Sequence, residues 1–237
     1  MDEIMEFWPG GPRFRQAEHV RLGTDSVLLA DFTPLGGARR GIDLGCASGA
    51  LMLMLLARAQ GLHMTGLEIV EAAARRAADN LRLNGWEARG DVVCGDIRAA
   101  RQLFRAGSFD LAVANPPYFP AGSGALPADP DRAAARGELC CTLSELCAAA
   151  GWLLRTGGRF CLVHRPERLG EAIVCMSAQG LEPKRLRLVC AREDRAPSLV
   201  LLEGRRGGAP GLVIEPSLTL RDAEGRESEA LRRICHR

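Results

Sequence analysis

The sequence predicts an α/β domain built on a mostly parallel sheet with helices packed on both of its faces. Apolar strands alternate with helical segments along most of the 237 residues, a pattern typical of parallel sheets. Several strands end in an acidic or amide residue, and such sheets bind ligands at the carboxyl ends of their strands. A composition that is 47% hydrophobic and 25% charged is sufficient for one large domain with a packed core.

The first and last segments are predicted to extend this domain. Residues 1–35 form an N-terminal arm and a capping helix, "GTDSVLLADF", with Thr24 or Asp25 as its N-cap. Residues 207–237 form a C-terminal extension, with a short strand at "GLVIE" and a short helix at "ESEALRRI". Residues 36–206 remain for the domain itself.

The elements of residues 36–206 follow from periodicity and turn residues. Five strands are predicted at "ARRGIDLG", "HMTGLEI", "RGDVVCGD", "SFDLAVAN" and "RFCLVH". Helices separate them, at Gly49–Ala59, Glu71–Gly85 and Leu139–Leu154, and a further helix spans Pro166–Gly180. The segments "PKRLRLVCA" and "SLVLLEGRR" alternate polar and apolar residues and predict a final antiparallel pair.

Composition restricts the function classes. A net charge of +2 neither requires nor excludes a nucleic-acid partner. The nine cysteines form no CxxC pair, so we expect core thiols in a reducing compartment, with no zinc ribbon or disulfide framework. The scattered histidines predict no metal site. No apolar run reaches about 18 residues and no signal peptide is recognisable, so we expect a cytoplasmic protein with no membrane partner.

The first strand ends in "DLGCASG", with Asp43 at its end and glycines at Gly45 and Gly49. Glycines permit a tight turn and a close approach of a ligand to the backbone. The spacing differs from the G-x-G-x-x-G of dinucleotide folds. Taken alone, the motif is explained about equally well by a plain strand-to-helix turn.

Two further acids end the next two strands. Glu68 could accept both hydroxyls of a ribose; the alternative is a solvated residue at a strand terminus. Asp96 could accept from an adenine amino group; the alternative is an N-cap of the following helix. Three acids at successive strand ends, with the glycine turn, favour a nucleoside ligand across the strand tips.

The fourth strand ends in "NPPY", Asn115 to Tyr118. Pro116 and Pro117 carry no backbone donors, so the local groups that face an amine are acceptors, the Asn115 side-chain oxygen and the Pro116 carbonyl. Two acceptors can hold both hydrogens of an –NH2 group, and Tyr118 can stack on a base, worth ~1–3 kcal/mol. The alternative is a rigid exit turn.

These motifs together resemble class I S-adenosylmethionine-dependent methyltransferases of the amino-group type. Over about Arg21–Leu202, the pieces "VRLGTDSVLLADF", "IDLGCASGALMLMLLAR", "GLEIVEAAARRAADNLRLNG" and "FDLAVANPPYF" resemble the small-domain tRNA(Val) adenine-N6 methyltransferase family. The resemblance implies a Rossmann-like methyltransferase fold, with a mostly parallel seven-stranded sheet and an antiparallel C-terminal strand. It also implies S-adenosyl-L-methionine as cofactor and RNA, in particular tRNA, as partner.

The resemblance assigns roles to individual residues. Gly23, Thr24 and Asp25 would flank the methionine part of the cofactor, Asp43 and Gly45 the amino acid moiety, Glu68 the ribose and Asp96 the adenine. The other implied cofactor-binding residues are Gly49, Ile69, Ile97 and Asn115. Asn115, Pro116, Pro117 and Tyr118 are the catalytic residues, and Tyr118, Phe119, Arg132 and Arg136 bind substrate. One departure is Ala47, where the family usually has Gly.

The sequence is compatible with more than one loop behaviour, methyl acceptor and oligomeric state. The loop Pro120–Arg136 could close over substrate RNA or be a plain flexible loop. N-P-P-Y also serves methylation of release-factor glutamine, rRNA and DNA. A non-catalytic RNA-binding or nucleotide-binding module on a methyltransferase fold is the alternative of another class. The oligomeric state is not predicted, since the arm could pack on its own domain or on a partner.

Overall fold

The structure is a computed structural model that describes residues 4–16, 23–117 and 141–236. It contains a small hairpin of β1 (Ile4–Glu6) and β2 (Arg13–Arg15). The main sheet consists of β3 (Arg40–Leu44), β4 (His63–Glu68), β5 (Gly90–Cys94), β6 (Phe109–Ala114), β7 (Leu154–His164), β8 (Leu181–Arg192), β9 (Pro197–Arg206) and β10 (Val213–Arg221).

The strand order of the main sheet is β10-β8-β9-β7-β6-β3-β4-β5. The strands β5, β4, β3, β6 and β7 pair in parallel, and β9 runs antiparallel to both β7 and β8. The predicted mostly parallel sheet and the antiparallel pair of β8 and β9 are therefore confirmed.

The predicted count of seven strands is wrong, because the C-terminal segment adds an eighth strand to the sheet. This strand, β10, pairs in parallel with β8 and continues to Arg221, well past the predicted "GLVIE". Pro216 falls within it, where the register shifts between Glu215 and Leu218. A proline reads as a strand end in a sequence, but an edge strand tolerates one because only one of its sides is paired.

The helices that flank the sheet are α1 (Thr24–Phe32), α2 (Ala50–Arg58), α3 (Glu71–Leu83), α4 (Ala100–Leu103), α5 (Leu143–Leu153), α6 (Leu169–Ala178) and α7 (Glu229–Ile234), with 3-10 turns at Ile97–Ala99 and Pro166–Arg168. The predicted N-cap of α1 is wrong. Gly23 is the N-cap, in extended backbone and without a side-chain cap bond, because Thr24 and Asp25 already belong to the first helical turn. Gly85 follows the end of α3 with a φ of +67°, as a C-terminal glycine should.

The core lies on both faces of the sheet. Along β6, Leu111 and Val113 pack on one side with α1 and α2, while Ala112 and Ala114 pack on the other side with α5. All four side chains are buried completely. Successive strand residues point to opposite faces, so β6 is buried on both faces from Leu111 to Ala114, as expected for a parallel sheet covered by helices.

The N-terminal arm packs on its own domain through two asparagine side chains of α3. The backbone N–H of Arg15 donates to Asn80 Oδ1 and that of Arg13 to Asn84 Oδ1, each at 2.8 Å. The amide nitrogens of Asn80 and Asn84 donate back to the carbonyls of Arg15 and Arg13, at 3.2 and 2.7 Å. The two carboxamides, one helical turn apart, therefore pair with β2 as a neighbouring strand would.

The described residues contain neither a candidate membrane helix nor a candidate metal cluster. Within residues 4–16, 23–117 and 141–236, no helix has both the length and the apolar character needed to cross a membrane. The same residues contain no cluster of three or more His, Cys, Asp or Glu side chains able to hold a metal ion.

Candidate active site

The site lies at the carboxyl edge of the sheet, where β3 is flanked by β4 on one side and β6 on the other. The chain continues from β3 to β4 and β5 in one direction and resumes with β6 on the opposite side, which makes this the switch point of the sheet. Asp43 is aligned with Gly66 of β4 and Val113 of β6. Gly45 comes two residues after Asp43, and Asn115 comes two residues after its partner Val113. The ends of β3 and β6 are therefore neighbours.

Alternate residues of the turn after β3 have left-handed backbone. Gly45 has a φ of +83° and Gly49 a φ of +84°. A Cβ at Gly45 would meet only Ile97, at 3.9 Å, whereas one at Gly49 would lie 3.2 Å from Ala77 Cβ of α3. Gly49 thus permits close packing of α3, and Gly45 leaves open space at the edge of the site.

Ala47, between the two glycines, is also left-handed, with a φ of +48°. An L-residue in this region costs about 1–2 kcal/mol relative to ordinary backbone. This backbone conformation suits the glycine that the family resemblance implies at this position. The alanine here adopts it with some strain.

Glu68 connects the glycine turn to the start of α3. Its side chain is 6% exposed; Oε2 accepts the backbone N–H of Ala47 at 2.8 Å and Oε1 accepts that of Val70 at 2.9 Å. Ile69 lies directly between Glu68 and the start of α3. The alternative of a solvated strand terminus is wrong, because the carboxylate is buried and holds two backbone donors.

Asp43 is the second buried carboxyl of the site. It is 2% exposed, and burial, with a smaller contribution from the charge of Glu68, raises its pKa to about 8. Burial therefore favours the protonated form of the Asp43 carboxyl. A positive charge brought to this strand end would favour the carboxylate form.

Asp96 caps the 3-10 turn that follows β5. Its Oδ1 accepts the backbone N–H of Arg98 at 2.8 Å, and its Oδ2 accepts from the Arg98 guanidinium at 2.6 and 2.8 Å. These hydrogen bonds lower the pKa of Asp96. The N-cap interpretation is confirmed, and the contact of Asp96 with an adenine stays a prediction.

Asn115 directly follows β6 and is half-buried. Its Nδ2 donates to Ser26 Oγ at 2.9 Å, which joins it to the first turn of α1. The predicted segment Gly23 to Asp25 is thereby brought next to Asn115. Ser26 was not among the predicted site residues, although it lies inside "GTDSVLLADF".

The remaining predicted residues fall into two groups. Pro116 is half-buried and Pro117 is exposed at the end of the same strand. The predicted substrate residues Tyr118, Phe119, Arg132 and Arg136 lie outside the described residues, so their roles stay predictions. The loop Pro120–Arg136 lies there as well.

Solved structures with the same architecture include several methyltransferases. A protein from Agrobacterium tumefaciens, described as a predicted O-methyltransferase, matches with a TM-score of 0.72 and 19% identity, covering 90% of this chain and 95% of that one. A geranyl diphosphate C-methyltransferase from Streptomyces coelicolor, solved with S-adenosyl-L-homocysteine, matches with a TM-score of 0.56 and 15% identity, covering 77% and 78%. The fold is that of the class I methyltransferases.

Sequence similarity narrows this class to a family. Residues 17–182 match the model of the methyltransferase small domain, and the chain belongs to that family. It is 36% identical over 210 residues to a tRNA1(Val) (adenine(37)-N6)-methyltransferase of Tolumonas auensis, covering 88% of this chain and 85% of the relative. A protein of the same name from Bacteroides fragilis is 33% identical over 183 residues, covering 77% and 76%.

Proposed function

We propose that this chain transfers a methyl group from S-adenosylmethionine to N6 of an adenine in tRNA. By its similarity to the relatives, the target is adenine 37 of a valine tRNA. The observation that carries the proposal is the Asn115 carboxamide at the end of β6, beside a glycine turn that Glu68 holds in place. This arrangement combines an amine acceptor with a nucleoside-binding edge.

The residues at the end of β3 and β4 fit the cofactor. Asp43 is a buried carboxyl whose pKa is raised by burial, and a bound ammonium group would favour its carboxylate form and pair with it. Glu68 presents two carboxylate oxygens, each with a lone pair beyond the backbone bond it accepts, and these would hold the ribose hydroxyls. Gly45 leaves the space that a bound amino acid moiety would fill. When bound, S-adenosylmethionine supplies a methyl group already activated on a sulfonium.

The chain's own contribution to the reaction is the positioning of the nitrogen. Asn115 Oδ1 and the Pro116 carbonyl would accept the two hydrogens of an adenine N6 amine. That contact directs the nitrogen lone pair towards the cofactor side and offsets the positive charge that develops on nitrogen. Alignment dominates such a step, and no strong base is required because the methylated amine can lose its proton to water.

The substrate must present its base outside a stack. Adenine in a tRNA loop is cheaper to extrude than a paired base, which supports a loop nucleotide as target. We place the reaction in the cytoplasm, where tRNA and the cofactor are both present.

Incubation with methyl-labelled cofactor and separate pools of tRNA, rRNA, DNA and release factor tests this proposal. Digestion and nucleoside mass spectrometry should find N6-methyladenosine in the tRNA pool. A valine tRNA transcript with adenine 37 changed to guanine should lose the label. Label in rRNA, DNA or glutamine instead would contradict the tRNA assignment, and no label in any pool would favour a non-catalytic binding module.

A further inference from the structure

The hydrogen bond between Asn115 and Ser26 joins segments that are 89 residues apart in the chain. Both residues are half-buried, and the atoms in contact are Asn115 Nδ2 and Ser26 Oγ, 2.9 Å apart. In the sequence, Ser26 follows the segment Gly23 to Asp25, which is assigned to the cofactor. Leu28, two residues after Ser26, begins the part of α1 that packs in the core. The hydroxyl of Ser26 therefore has a specific partner and no other assigned role.

The carboxamide of Asn115 has two different ends in one plane. Its nitrogen only donates hydrogen bonds, and its oxygen only accepts them. With Nδ2 on Ser26, Oδ1 lies on the other arm of the amide. If the amide rotated by half a turn, its NH2 group would face the target amine, and two donors would oppose each other. An asparagine that must accept from an amine therefore needs a partner on its nitrogen end.

We infer that Ser26 is a positioning residue for methyl transfer, an inference that rests on the proposed function. By accepting a hydrogen bond from Asn115 Nδ2, Ser26 sets the amide orientation in which Oδ1 faces the substrate amine. Ser26 does not itself contact the reacting atoms. Its loss reduces the fraction of enzyme with a correctly oriented amide, so the effect falls on kcat and not on the binding of tRNA or cofactor.

Ser26→Ala and Ser26→Thr test this inference. Alanine is the strongest helix former, so Ser26→Ala should fold normally, and threonine retains the hydroxyl. The matched control is Ser108→Ala, which removes the hydroxyl of a serine just before β6, at the opposite end of that strand. For each variant, kcat and KM for tRNA are measured, together with the cofactor Kd by calorimetry and the melting temperature.

The expected result is a selective loss of turnover. Ser26→Ala should lower kcat by about 10- to 100-fold, the scale of a small misplacement in a reacting geometry. The KM, Kd and melting temperature should stay close to the wild-type values. Ser26→Thr should restore most of kcat, and Ser108→Ala should match the wild type.

Three outcomes would overturn the inference. They are a wild-type kcat in Ser26→Ala, a loss that appears in the cofactor Kd instead of kcat, and a Ser26→Thr enzyme as slow as Ser26→Ala. The proposed function fails separately, if the wild-type enzyme methylates no tRNA. In that case the kcat ratio of Ser26→Ala to wild type is measured on the amine that the enzyme does methylate.

Discussion

Glu68 Oε2 accepts the backbone N–H of Ala47 at 2.8 Å, across a separation of 21 residues. This contact holds the middle one of the three left-handed residues in the turn after β3 against the end of β4. Because Glu68 Oε1 also accepts the N–H of Val70, one buried carboxylate organises both the glycine turn and the entry to α3. The geometry of the proposed cofactor site therefore depends on the Glu68 carboxylate.

Replacement of Glu68 by glutamine tests this role. Glutamine keeps one oxygen but turns an NH2 group towards one of the two backbone donors, which leaves a buried group unpaired at a cost of about 1–3 kcal/mol. We expect the free energy of unfolding, from urea denaturation, to fall by that amount, and cofactor affinity to fall by at least about tenfold, since 1.4 kcal/mol is a factor of ten. The exposed Glu87→Gln is the control and should change neither; unchanged cofactor affinity in Glu68→Gln would contradict the account.

Ala47 allows the backbone strain of the turn to be measured. Glycine adopts the observed φ of +48° without penalty, so Ala47→Gly should leave the free energy of unfolding within about 1 kcal/mol of the wild type, or raise it. Ala47→Val places a β-branched residue in the left-handed region and should be destabilising by more than 1 kcal/mol. Thermal denaturation of both variants measures this difference in stability. Equal stability of the valine and glycine variants would contradict the predicted strain, because it would show that the turn relaxes around the larger side chain.

Asp43 predicts a pH dependence of stability in the protein without cofactor. Its pKa of about 8 in the folded protein lies above its usual value of 3.8, so the folded protein retains a proton that the unfolded chain has lost. The free energy of unfolding should therefore fall as the pH rises from about 4 to about 8, with each unit of pKa shift worth about 1.4 kcal/mol.

The variant Asp43→Asn removes this ionisation and serves as the comparison. Urea denaturation at pH 5 and pH 8, run on both proteins, should show the wild type losing stability relative to Asp43→Asn at the higher pH. Identical pH profiles would mean that Asp43 titrates normally. Cofactor affinity of Asp43→Asn should be lower than that of the wild type at pH 8, where a bound ammonium group favours the Asp43 carboxylate and the amide carries no charge to pair with it.

Asn80 links the N-terminal arm to the glycine turn. It is completely buried, and its Nδ2 donates to Ser48 O at 3.0 Å as well as to Arg15 O. Asn80→Ala should lower the free energy of unfolding by about 2–3 kcal/mol, because it leaves several backbone groups unpaired, and should also weaken cofactor binding. Asn84→Ala releases only the arm and the helix end, so calorimetry should find near-normal cofactor affinity. Equal cofactor affinities in the two variants would contradict the link through Ser48.

Local sequence patterns were sufficient to predict which polar residues lie at the strand ends of the candidate site. The acid and amide residues at the ends of β3 to β6 could be placed because each follows an apolar run, and the parallel arrangement brings such ends to one edge. The N-cap role of Asp96 was also readable, since it depends on Arg98 two residues away.

The missed features depend on contacts between distant segments. Ser26 meets Asn115, and Asn80 meets the N-terminal arm, across 89 and 65 residues. Only the spacing of Asn80 and Asn84, one helical turn apart on α3, was a signal that a polar helix face binds another segment. The eighth strand was shortened in the prediction because Pro216 resembles a strand end when its edge position is unknown.

The most direct test of the central claim is single-turnover methyl transfer by Asn115→Ala. Enzyme in excess, with saturating labelled S-adenosylmethionine, is mixed with a valine tRNA transcript, and N6-methyladenosine is counted over time. The account predicts a rate lower by about 10²- to 10³-fold, the scale for loss of one electrostatic contact to the reacting group, with the cofactor Kd within a few-fold of the wild type. A rate near that of the wild type would contradict the assignment of Asn115 as the residue that holds the target amine.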